Sequence, residues 1–582
     1  MANSRLQKLG NYLRPHWRMV LLGTIALLIV NILGVYIPLL IRDSIDQLQG
    51  EFSFSQLSRS ALWLLLLAAI MWCFRMYSRT SIFGVGRQVE FGLKQGIFQH
   101  LLTIEPGYFS NNTSGDLINR ATSDVDNIRR LVGFAVLSFI NIIFAYTFTL
   151  PVMLKINVRL TLLAIAVYPV MLITVQLFSG KLRRYQEEIQ VKLSDLSELI
   201  QEDMSGMALI RIYAQEAQER EAFRQKNQQL LEANLKLART RNLLFPIIEG
   251  ISYISLLILL WLGSGAIANG QITVGDFIAL VLFVERLVFP TALLGFTITA
   301  YQQGEVSIDR VESITKAEPK IKNSPQAIAF PVADLKGKIT ARNLTYTYPG
   351  SHVPALYDLN FTIKPGETVA IVGSIGSGKS TLANAIPRLL NIEGGELFLD
   401  DCDVTKLDLA TLRKAIAYVP QDSFLFSTTI KNNIRYGEPL AETDEVVQAA
   451  KQAQIHPEIL TFPQEYETLV GERGITLSGG QRQRTSLARA LITEAKVLIL
   501  DDALSSVDNE TATRILNSLS PARANKTVIF ISHQLSAAAS CDRILVMDQG
   551  KIVQNGTHET LMQETGLYQS LWQQHQLEEV LN

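Results

Sequence analysis

The chain has 582 residues, too many for one hydrophobic core, so its length predicts several domains. Its formal net charge of −1 gives no support to nucleic-acid binding, and nucleic acid is therefore excluded as an expected partner. Hydrophobic residues make up 48% of the chain, and most of this excess lies in the first half.

Six apolar runs in the first half are long enough to cross a bilayer, which takes about 20 residues. They lie at about 19–41, 61–83, 131–154, 160–178, 243–268 and 277–300. A soluble helical core is the alternative, and six such runs argue against it. Basic residues precede the first run without a small-residue cleavage site after it, which predicts a retained span rather than a cleaved signal peptide.

Lys and Arg near the span ends predict the orientation of these spans. The N-terminal segment is basic, as are the segments after the second and fourth spans, whereas the loop at 43–51 is acidic and the loop at 269–276 lacks Lys and Arg. By the positive-inside rule, the chain is a multi-pass protein of the cytoplasmic membrane with both termini in the cytoplasm. Lys155 and Arg159, between the third and fourth spans, run against the rule.

Two long polar connections, 84–130 and 179–242, are rich in helix formers and charge. They are predicted to be helical continuations of the spans that project beyond the membrane. Turn residues interrupt them near 106–117 and 212–217. These tips are either docking points or solvated turns.

Charged residues inside the spans need a partner or a cavity, because charge is costly in lipid. Those residues are Arg75, Arg79, Glu249, Glu285 and Arg286. One hypothesis is that Glu249, Glu285 and Arg286 line a substrate path. The other is that they form interhelical pairs that only hold the bundle together, and the sequence leaves both open.

A glycine-rich stretch organises the second half of the chain. It follows an apolar run at 368–372, predicted to be a buried strand, and precedes a predicted helix start at 382–386. Its G-x-x-x-x-G-K-S spacing is that of a P-loop, and its residues are Gly373, Ser374, Ile375, Gly376, Ser377, Gly378, Lys379, Ser380 and Thr381. Glycines let backbone N–H groups converge on a phosphate, and the helix N-terminus adds unpaired donors. Lys379 is suited to the terminal phosphates and Ser380 to Mg²⁺, so the sequence predicts a site for a nucleoside triphosphate.

Further motifs follow the P-loop in a characteristic order. They are Val419-Pro420-Gln421-Asp422, Leu477-Ser478-Gly479-Gly480-Gln481, a strand at 497–500 followed by Asp501-Asp502, Ser505-Ser506-Val507-Asp508, and Ile531-Ser532-His533. This set resembles the nucleotide-binding domain of ABC transporters, and the first half resembles the six-helix membrane domain of ABC exporters. The resemblance covers essentially the entire chain, and LSGGQ between a P-loop and a strand ending in Asp is its most specific signal.

The predicted fold therefore has two parts. Residues 1–318 form an α-helical six-span transmembrane domain with long cytoplasmic helical extensions, and residues 335–582 form an α/β P-loop ATPase domain of the ABC type. A composition change with three prolines marks 319–334 as a linker. In the resemblance, the tips near 112–117 and 212–217 correspond to coupling helices, which carry closure of the ATPase domains to the membrane helices.

The resemblance also implies roles at the chain's own ATP site. Tyr348 would stack on adenine, and Gln421 would contact Mg²⁺ and sense the γ-phosphate. Asp501 would hold Mg²⁺ through water, as an acid at the end of a buried strand can. His533 would contact the γ-phosphate and help to orient the attacking water. ATP and Mg²⁺ are thus the implied cofactors.

A second half-transporter is the implied partner, because two such domains bind ATP head to tail. The signature residues Leu477, Ser478, Gly479, Gly480 and Gln481 would contact the nucleotide held by the other subunit. Ser506 and Asp508 would belong to the loop at the dimer contact.

Asp502 departs from the family pattern, which usually has Glu directly after the strand-end Asp to position and polarise water. Asp is one methylene shorter, so its carboxylate falls back by about 1 Å, and such a misplacement can cost about 10²-fold. Heterodimeric bacterial multidrug exporters often contain one subunit with Asp here, which makes one ATP site slow. The alternative is that the backbone shifts and Asp502 works normally.

The predicted function is ATP-driven export of a hydrophobic or amphipathic cargo, drug or lipid-like, by one half of a dimer, with a heterodimer favoured. A homodimeric exporter of lipid or peptide and a regulatory ATP-binding subunit are the alternatives. A soluble ABC ATPase disagrees with six fused spans, and an importer disagrees with fusion of the membrane and ATPase parts.

Overall fold

The computed structural model describes residues 2–48, 54–471, 474, 476–507, 510–512, 514–515 and 526–581. By their contacts the residues group into two compact units. The first comprises Met1–Thr103 and Asn112–Ala317, and the second comprises Ile104–Asn111 and Glu318–Asn582. The first predicted tip is thus divided, since Ile104–Asn111 groups with the second unit, whereas the tip at 212–217 lies in the first.

The described part of the first unit consists of helices joined by short turns. The helices in this part of the chain are α1 (Ala2–Leu13), α2 (Trp17–Leu48), α3 (Phe54–Leu101), α4 (Pro106–Asn111), α5 (Ser114–Asn119), α6 (Val125–Arg130), α7 (Val136–Ile156), α8 (Val158–Ile165), α9 (Tyr168–Ile212), α10 (Glu216–Ala268) and α11 (Val274–Thr315). Of these, α4 belongs to the second unit. A 3₁₀ turn at Arg14–His16 joins α1 to α2, and π turns at Arg120–Asp124 and Leu131–Ala135 join α5, α6 and α7.

Six helical segments in the described part are long and apolar enough to cross a membrane, which confirms the predicted number of spans. The longest helix, α10, has 53 residues. At 1.5 Å per residue it is about 80 Å long, against a hydrocarbon core of about 30 Å. The polar connections are therefore helical extensions of the spans, as predicted.

Helix α11 packs against α2, α7 and α9 of the first unit. Its start is fixed by a capping box, in which Thr273 and Asp276 exchange side-chain and backbone hydrogen bonds. Asp46, near the end of α2, accepts from the Thr273 hydroxyl at 2.7 Å and from the Gly275 N–H at 2.8 Å. Farther along α11, the buried Tyr168 hydroxyl donates to the Val284 carbonyl at 2.8 Å. The last span is therefore tied at its start and along its length to two other helices.

The second unit contains the strands. They are β1 (Ile339–Tyr346), β2 (Leu356–Ile363), β3 (Thr368–Gly373), β4 (Leu397–Leu399), β5 (Cys402–Asp403), β6 (Ile416–Val419), β7 (Val497–Asp501), β8 (Thr527–Ile531), β9 (Arg543–Asp548) and β10 (Lys551–Gly556). One sheet has the order β2-β1-β4-β5 and is antiparallel, and the other has the order β10-β9-β3-β8-β7-β6. In the second sheet β9 to β6 are parallel, and only β10 is antiparallel.

Helices and short turns cover this sheet. The helices are α12 (Lys379–Ala385), α13 (Leu409–Lys414), α14 (Ile430–Arg435), α15 (Thr443–Gln452), α16 (His456–Ile459), α17 (Gly479–Leu491), α18 (Leu535–Ala538), α19 (His558–Gln563) and α20 (Leu567–Leu581), with 3₁₀ turns at Val332–Asp334 and Glu465–Glu467. In β3, Val369 and Ile371 pack into one hydrophobic core, while Ala370 and Val372 pack into the other. Burial on both faces explains the unbroken apolar run in the sequence.

The predicted linker packs onto the ATPase unit near its end. The Ile328 N–H donates to the Lys406 carbonyl at 2.9 Å, and the Ile328 carbonyl accepts from the Asp408 N–H at 2.9 Å. Asn323 donates to the Asp408 carboxylate at 2.6 Å. Residues in both halves of the predicted linker are therefore hydrogen-bonded to the second unit.

Candidate active site

The glycine-rich loop starts where β3 ends, at the carboxyl edge of the parallel strands. Gly373, Gly376 and Gly378 have φ values of +151°, +79° and +96°, which residues with a Cβ rarely adopt. A Cβ on Gly373 would overlap the carbonyl oxygen of Met547, and one on Gly378 would lie 2.5 Å from that of Ala355. The loop therefore requires glycine at both positions, which leaves its backbone N–H groups accessible to a ligand.

Other residues of the loop brace it or form its exposed tip. Ser374 donates to the Asp548 carboxylate at 2.6 Å, which fastens the loop to the end of β9. The backbone carbonyl of Ser377, a buried residue, accepts from the Gly550 N–H at 3.1 Å. Ile375 is 92% exposed at the tip. These hydrogen bonds fix the loop to β9 and to the turn that follows it.

Lys379, the first residue of α12, folds back over this loop. Its Nζ donates to the carbonyl oxygens of Gly373 at 3.0 Å and Ser374 at 2.8 Å. Burial lowers the pKa of Lys379, while the negative charges of Asp501 and Asp502 raise it. An ammonium held by neutral carbonyls, with carboxylates nearby, is well placed to exchange those bonds for phosphate oxygens.

Asp501 ends β7 and receives two hydroxyl groups. Ser380 donates to its Oδ1 at 3.0 Å, and Tyr418, from the neighbouring strand β6, donates to its Oδ2 at 3.2 Å. Burial raises the pKa of Asp501; the hydrogen bonds from Ser380 and Tyr418 lower it, and the charge of Asp502 raises it. A buried carboxylate beside a serine hydroxyl is the arrangement expected where Mg²⁺ binds with a phosphate chain.

Asp502 has a strained backbone and an unsatisfied carboxylate oxygen. Its φ is +49°, a left-handed conformation that Asp and Asn tolerate better than most residues. Its N–H donates to the Ile531 carbonyl at 2.9 Å, which fixes it to β8. Its Oδ1 is buried and has no hydrogen-bond partner among the described residues. Such an orphaned oxygen is expected where a water or ligand completes the site.

Gln421 and His533 lie at the same sheet edge, whereas Tyr348 follows a strand of the antiparallel sheet. Gln421 lies two residues after β6, and His533 lies two residues after β8; both side chains are exposed. Tyr348 lies two residues after β1, is 42% exposed, and its hydroxyl is 3.2 Å from that of Thr381 on α12. Asp501 ends β7, and Gln421 and His533 follow the adjacent parallel strands β6 and β8; this edge is where ligands bind in such sheets.

The signature residues form the start of α17. Ser478 is the N-cap and exchanges hydrogen bonds with Gln481 in a capping box, and Leu477 is buried. A Cβ on Gly480 would lie 2.8 Å from the Ser506 carbonyl oxygen, whereas one on Gly479 would meet Ser506 only at 3.4 Å. The signature therefore packs against the loop that follows Asp502. Asp508 lies outside the described residues.

Gln483 is a residue that the sequence reasoning missed. Its amide donates to the Ser505 hydroxyl at 2.8 Å and accepts from the Ser506 N–H at 2.9 Å. It thereby links the signature helix to the segment after Asp502. Tyr418 was missed as well, because the sequence does not show that β6 lies beside β7.

These residues fit ATP and Mg²⁺ by their chemistry. The loop has positions that a Cβ would fill, Lys379 faces no contacting carboxylate among the described residues, and Asp502 keeps an orphaned oxygen. No group of three or more His, Cys, Asp or Glu that could hold a metal is found in the described part. One carboxylate and one hydroxyl suit Mg²⁺, which usually keeps several waters and substrate phosphates as ligands.

In the first unit, the three residues predicted to line a substrate path, Glu249, Glu285 and Arg286, do not share one site. Arg286 lines a cavity between helices of the bundle. Glu285 is exposed, and Glu249 accepts from the Tyr253 hydroxyl one turn along α10 at 2.8 Å. Neither Glu249 nor Glu285 lines that cavity.

Comparisons with known proteins agree with this geometry. Residues 20–291 match the family described as ABC transporter transmembrane region, and residues 356–505 match the family described as ABC transporter. The chain is 33% identical to a probable multidrug resistance ABC transporter ATP-binding/permease protein, YheI of Bacillus subtilis, over 99% of this chain and 98% of that protein. It is 31% identical to an ATP-dependent lipid A-core flippase of Syntrophus aciditrophicus, over 99% and 94%. The structure of a bacterial Atm1-family ABC exporter with ATP bound superposes with a TM-score of 0.73 at 26% identity, covering 97% of this chain and 98% of that one.

Proposed function

The chain belongs to the ABC transporter family, as an exporter half-transporter with its membrane and ATPase domains on one polypeptide, and from that premise we propose that it exports a hydrophobic or amphipathic compound as one half of a heterodimer. Exporters of this type act as dimers. The proposal rests chiefly on one observation: a braced P-loop, a buried strand-end carboxylate and a signature helix stand on the same chain as six membrane spans.

The chain's own residues account for nucleotide binding. The glycine loop offers backbone N–H groups, Lys379 supplies a cation, and Tyr348 offers an aromatic face for adenine. Mg²⁺, when bound at Ser380 and Asp501, would neutralise charge on the phosphates. Gln421 and His533, exposed at the same edge, are available to orient a water toward the γ-phosphate. These roles are those that the family resemblance implies.

Asp502 supports the heterodimer. It sits where a longer carboxylate would normally position water, and its backbone is fixed to β8 by the bond to Ile531. A backbone held in this way cannot simply advance to make up for the missing methylene. We therefore infer that the site formed by this chain's P-loop turns over slowly, and that its intact signature, Leu477 to Gln481, serves a faster site on the partner.

There are two alternatives to a heterodimeric exporter, a homodimer and a regulatory subunit. In a homodimer, Asp502 would itself support hydrolysis at both sites, and the cargo would be a lipid or peptide. A regulatory ATP-binding subunit would bind ATP without coupling it to export. The relatives named above include a multidrug protein and a lipid flippase, which favours transport and supports a drug or lipid-like cargo.

The orientation is part of the proposal. Both termini and the polar helical extensions lie in the cytoplasm of a cell whose cytoplasmic membrane the six spans cross. This follows from the distribution of Lys and Arg. It also places the ATPase unit where ATP is available.

The test is ATP-dependent accumulation in inside-out vesicles. The chain is expressed with candidate partner half-transporters encoded beside it and also alone. Uptake of a fluorescent amphipathic dye that requires ATP and the pair supports a heterodimeric exporter. Uptake by the single chain indicates a homodimer, and ATP binding without uptake by any combination indicates a regulatory subunit.

A further inference from the structure

A half-open cavity of about 440 Å³ lies between helices of the first unit, with Arg75 and Arg79 exposed at it. It is lined by residues of α2, α3, α7 and α11, all of them in the membrane-spanning region. Three of its lining residues are arginines: Arg75 and Arg79 from α3 and Arg286 from α11. Much of the remaining lining is apolar and includes Leu27, Val30 and Phe289. The cavity thus combines a cationic side with a hydrophobic side.

The cationic side has no compensating acid. The lining contains no Asp or Glu, and within the described residues none of the three arginines forms a salt bridge. Arg75 and Arg79 are one helical turn apart, so both side chains lie on one face of α3. Among the described residues, the hydrogen bond found for Arg75 goes to a neutral sulfur, Met71 Sδ, at 3.6 Å. Three cations without an acidic partner are costly in a membrane domain and usually mark a functional site.

Arg286 is held in a defined place. Its guanidinium donates to the backbone carbonyl of Asn31 at 3.0 Å and to the Asn31 side-chain oxygen at 3.1 Å. Asn31 is itself 2% exposed and donates to Asn141 at 3.1 Å. A Cβ on Gly34 would overlap the guanidinium of Arg286. The absence of a side chain at Gly34 is therefore what makes room for the arginine beside α2.

One hydroxyl group that lines the same cavity has no hydrogen-bond partner among the described residues. The side chain of Ser78 lines the cavity and is fully buried, and its hydroxyl has no hydrogen-bond partner among the described residues. Ser78 lies between Arg75 and Arg79 on α3. A hydroxyl and guanidinium groups together are a suitable set of donors for an oxyanion.

We propose that this cavity recognises the anionic headgroup, a phosphate or a carboxylate, of an amphipathic cargo. The arginines bind the headgroup and the apolar side chains contact the hydrocarbon part. This inference rests on the proposed export function, which it narrows from hydrophobic compounds in general to amphipathic anions. A cationic compound of the same size is disfavoured, because its charge meets three arginines and no acid.

The experiment measures equilibrium binding to the full-length exporter, with its partner, in nanodiscs of phosphatidylcholine. One ligand pair is oleoyl lysophosphatidate and oleoyl lysophosphatidylcholine, which share a tail and differ in net charge. The other is 1-anilinonaphthalene-8-sulfonate and neutral 1-anilinonaphthalene, which are not lipids. The anionic member should bind at least about tenfold more tightly in one or both pairs. Preference in the first pair alone indicates a lipid, and preference in the second alone indicates a free organic anion.

Matched variants separate recognition from folding. Arg75→Gln should abolish most of the preference, and Arg75→Lys, which keeps the charge, should retain most of it. Gly34→Ala should weaken anion binding because it displaces Arg286, whereas Gly265→Ala, a change with open space around it on α10, should have no effect. Equal binding of both members of both pairs, or a preference that survives Arg75→Gln, overturns the inference.

Failure of this inference differs from failure of the proposed function. If ATP-driven export occurs but shows no preference for anions, the function stands and the anion site does not. If anions bind as described but no ATP-dependent transport is found with any partner, the site stands and the function does not.

Discussion

The slow-site hypothesis makes a quantitative prediction about Asp502 and Gly479. The first change is Asp502→Asn, which removes the charge but keeps a residue type that tolerates φ of +49°. The second is Gly479→Asp, which places a carboxylate in the signature. If this chain's own site is slow, Asp502→Asn should alter turnover of the heterodimer by less than about threefold. Gly479→Asp should be far more damaging, because it acts on the partner's fast site.

The structure indicates why Gly479 is the better signature position to change. A Cβ there meets Ser506 at 3.4 Å, an ordinary contact, whereas one at Gly480 would lie 2.8 Å from a backbone oxygen. An acid in the first turn of α17 is also favourable for the helix, by about 0.3–1 kcal/mol. The fold should therefore survive Gly479→Asp, and Gly479→Ala serves as a control for size without charge.

A lower limit can be set for the expected difference in ATP turnover between the Asp502→Asn and Gly479→Asp variants. A carboxylate about 4 Å from a phosphate charge is repelled by about 4 kcal/mol at an effective dielectric constant of 20. A tenfold gap in turnover between the two variants, about 1.4 kcal/mol of barrier, is thus a conservative threshold. The assay is steady-state ATP hydrolysis by the purified pair and by the single chain. Severe loss with both variants, together with hydrolysis by the single chain unaided, would refute the reasoning and indicate a homodimer.

Three further predictions follow from the nucleotide site and the topology. Lys379→Ala should nearly abolish ATP binding at this subunit's site, measured by photolabelling with an azido-ATP analogue; undiminished labelling contradicts the assigned role. Tyr418→Phe removes one of the two hydrogen bonds that lower the pKa of Asp501, so that pKa should rise. The acid limb of the pH–activity profile should then move to higher pH. An unmoved limb would show that this hydrogen bond is not made in the working enzyme. Cysteines placed at Asn269 and Gln190, both exposed, should react with an impermeant reagent from opposite sides of the membrane, and labelling of both from outside would reject the proposed orientation.

The parts of this structure that were predictable lie within short stretches of sequence. The P-loop could be recognised because its glycines, Lys379 and Ser380 are contiguous and their spacing has a physical reason. Each span could be recognised because a run of about 20 apolar residues matches the thickness of a bilayer. The strand β3 could be recognised in the same way, since burial on both faces leaves a continuous apolar run.

The contacts that complete the site join distant residues and were not predictable. Tyr418 meets Asp501 only because β6 lies beside β7, and Ser374 meets Asp548 only because β3 lies beside β9. Sequence patterns give strands but not their order. The left-handed backbone conformation of Asp502 could not be predicted from the sequence either, because Asp is compatible with several conformations.

The membrane domain shows the same limit. Arg75, Arg79 and Arg286 were noticed as charges in apolar spans, and the sequence could not decide between a polar cavity and interhelical pairing. The structure shows that Arg286 shares one cavity with the other two arginines, while Glu285, its neighbour in sequence, is exposed elsewhere. Which side chains share a cavity depends on the rotation of each helix, which a nearly uniform apolar pattern does not fix.

Helix α10 has a mechanical consequence. It runs unbroken for 53 residues, and Pro246 lies inside it, close to where its polar part gives way to its apolar part. A proline removes one backbone hydrogen bond of the helix and locally lowers its resistance to bending. Pro246 is therefore a flexible joint in an otherwise stiff helix, near the boundary between its polar and apolar parts. A small tilt at that joint is magnified into a large sweep at the distant tip, in proportion to the length of the arm.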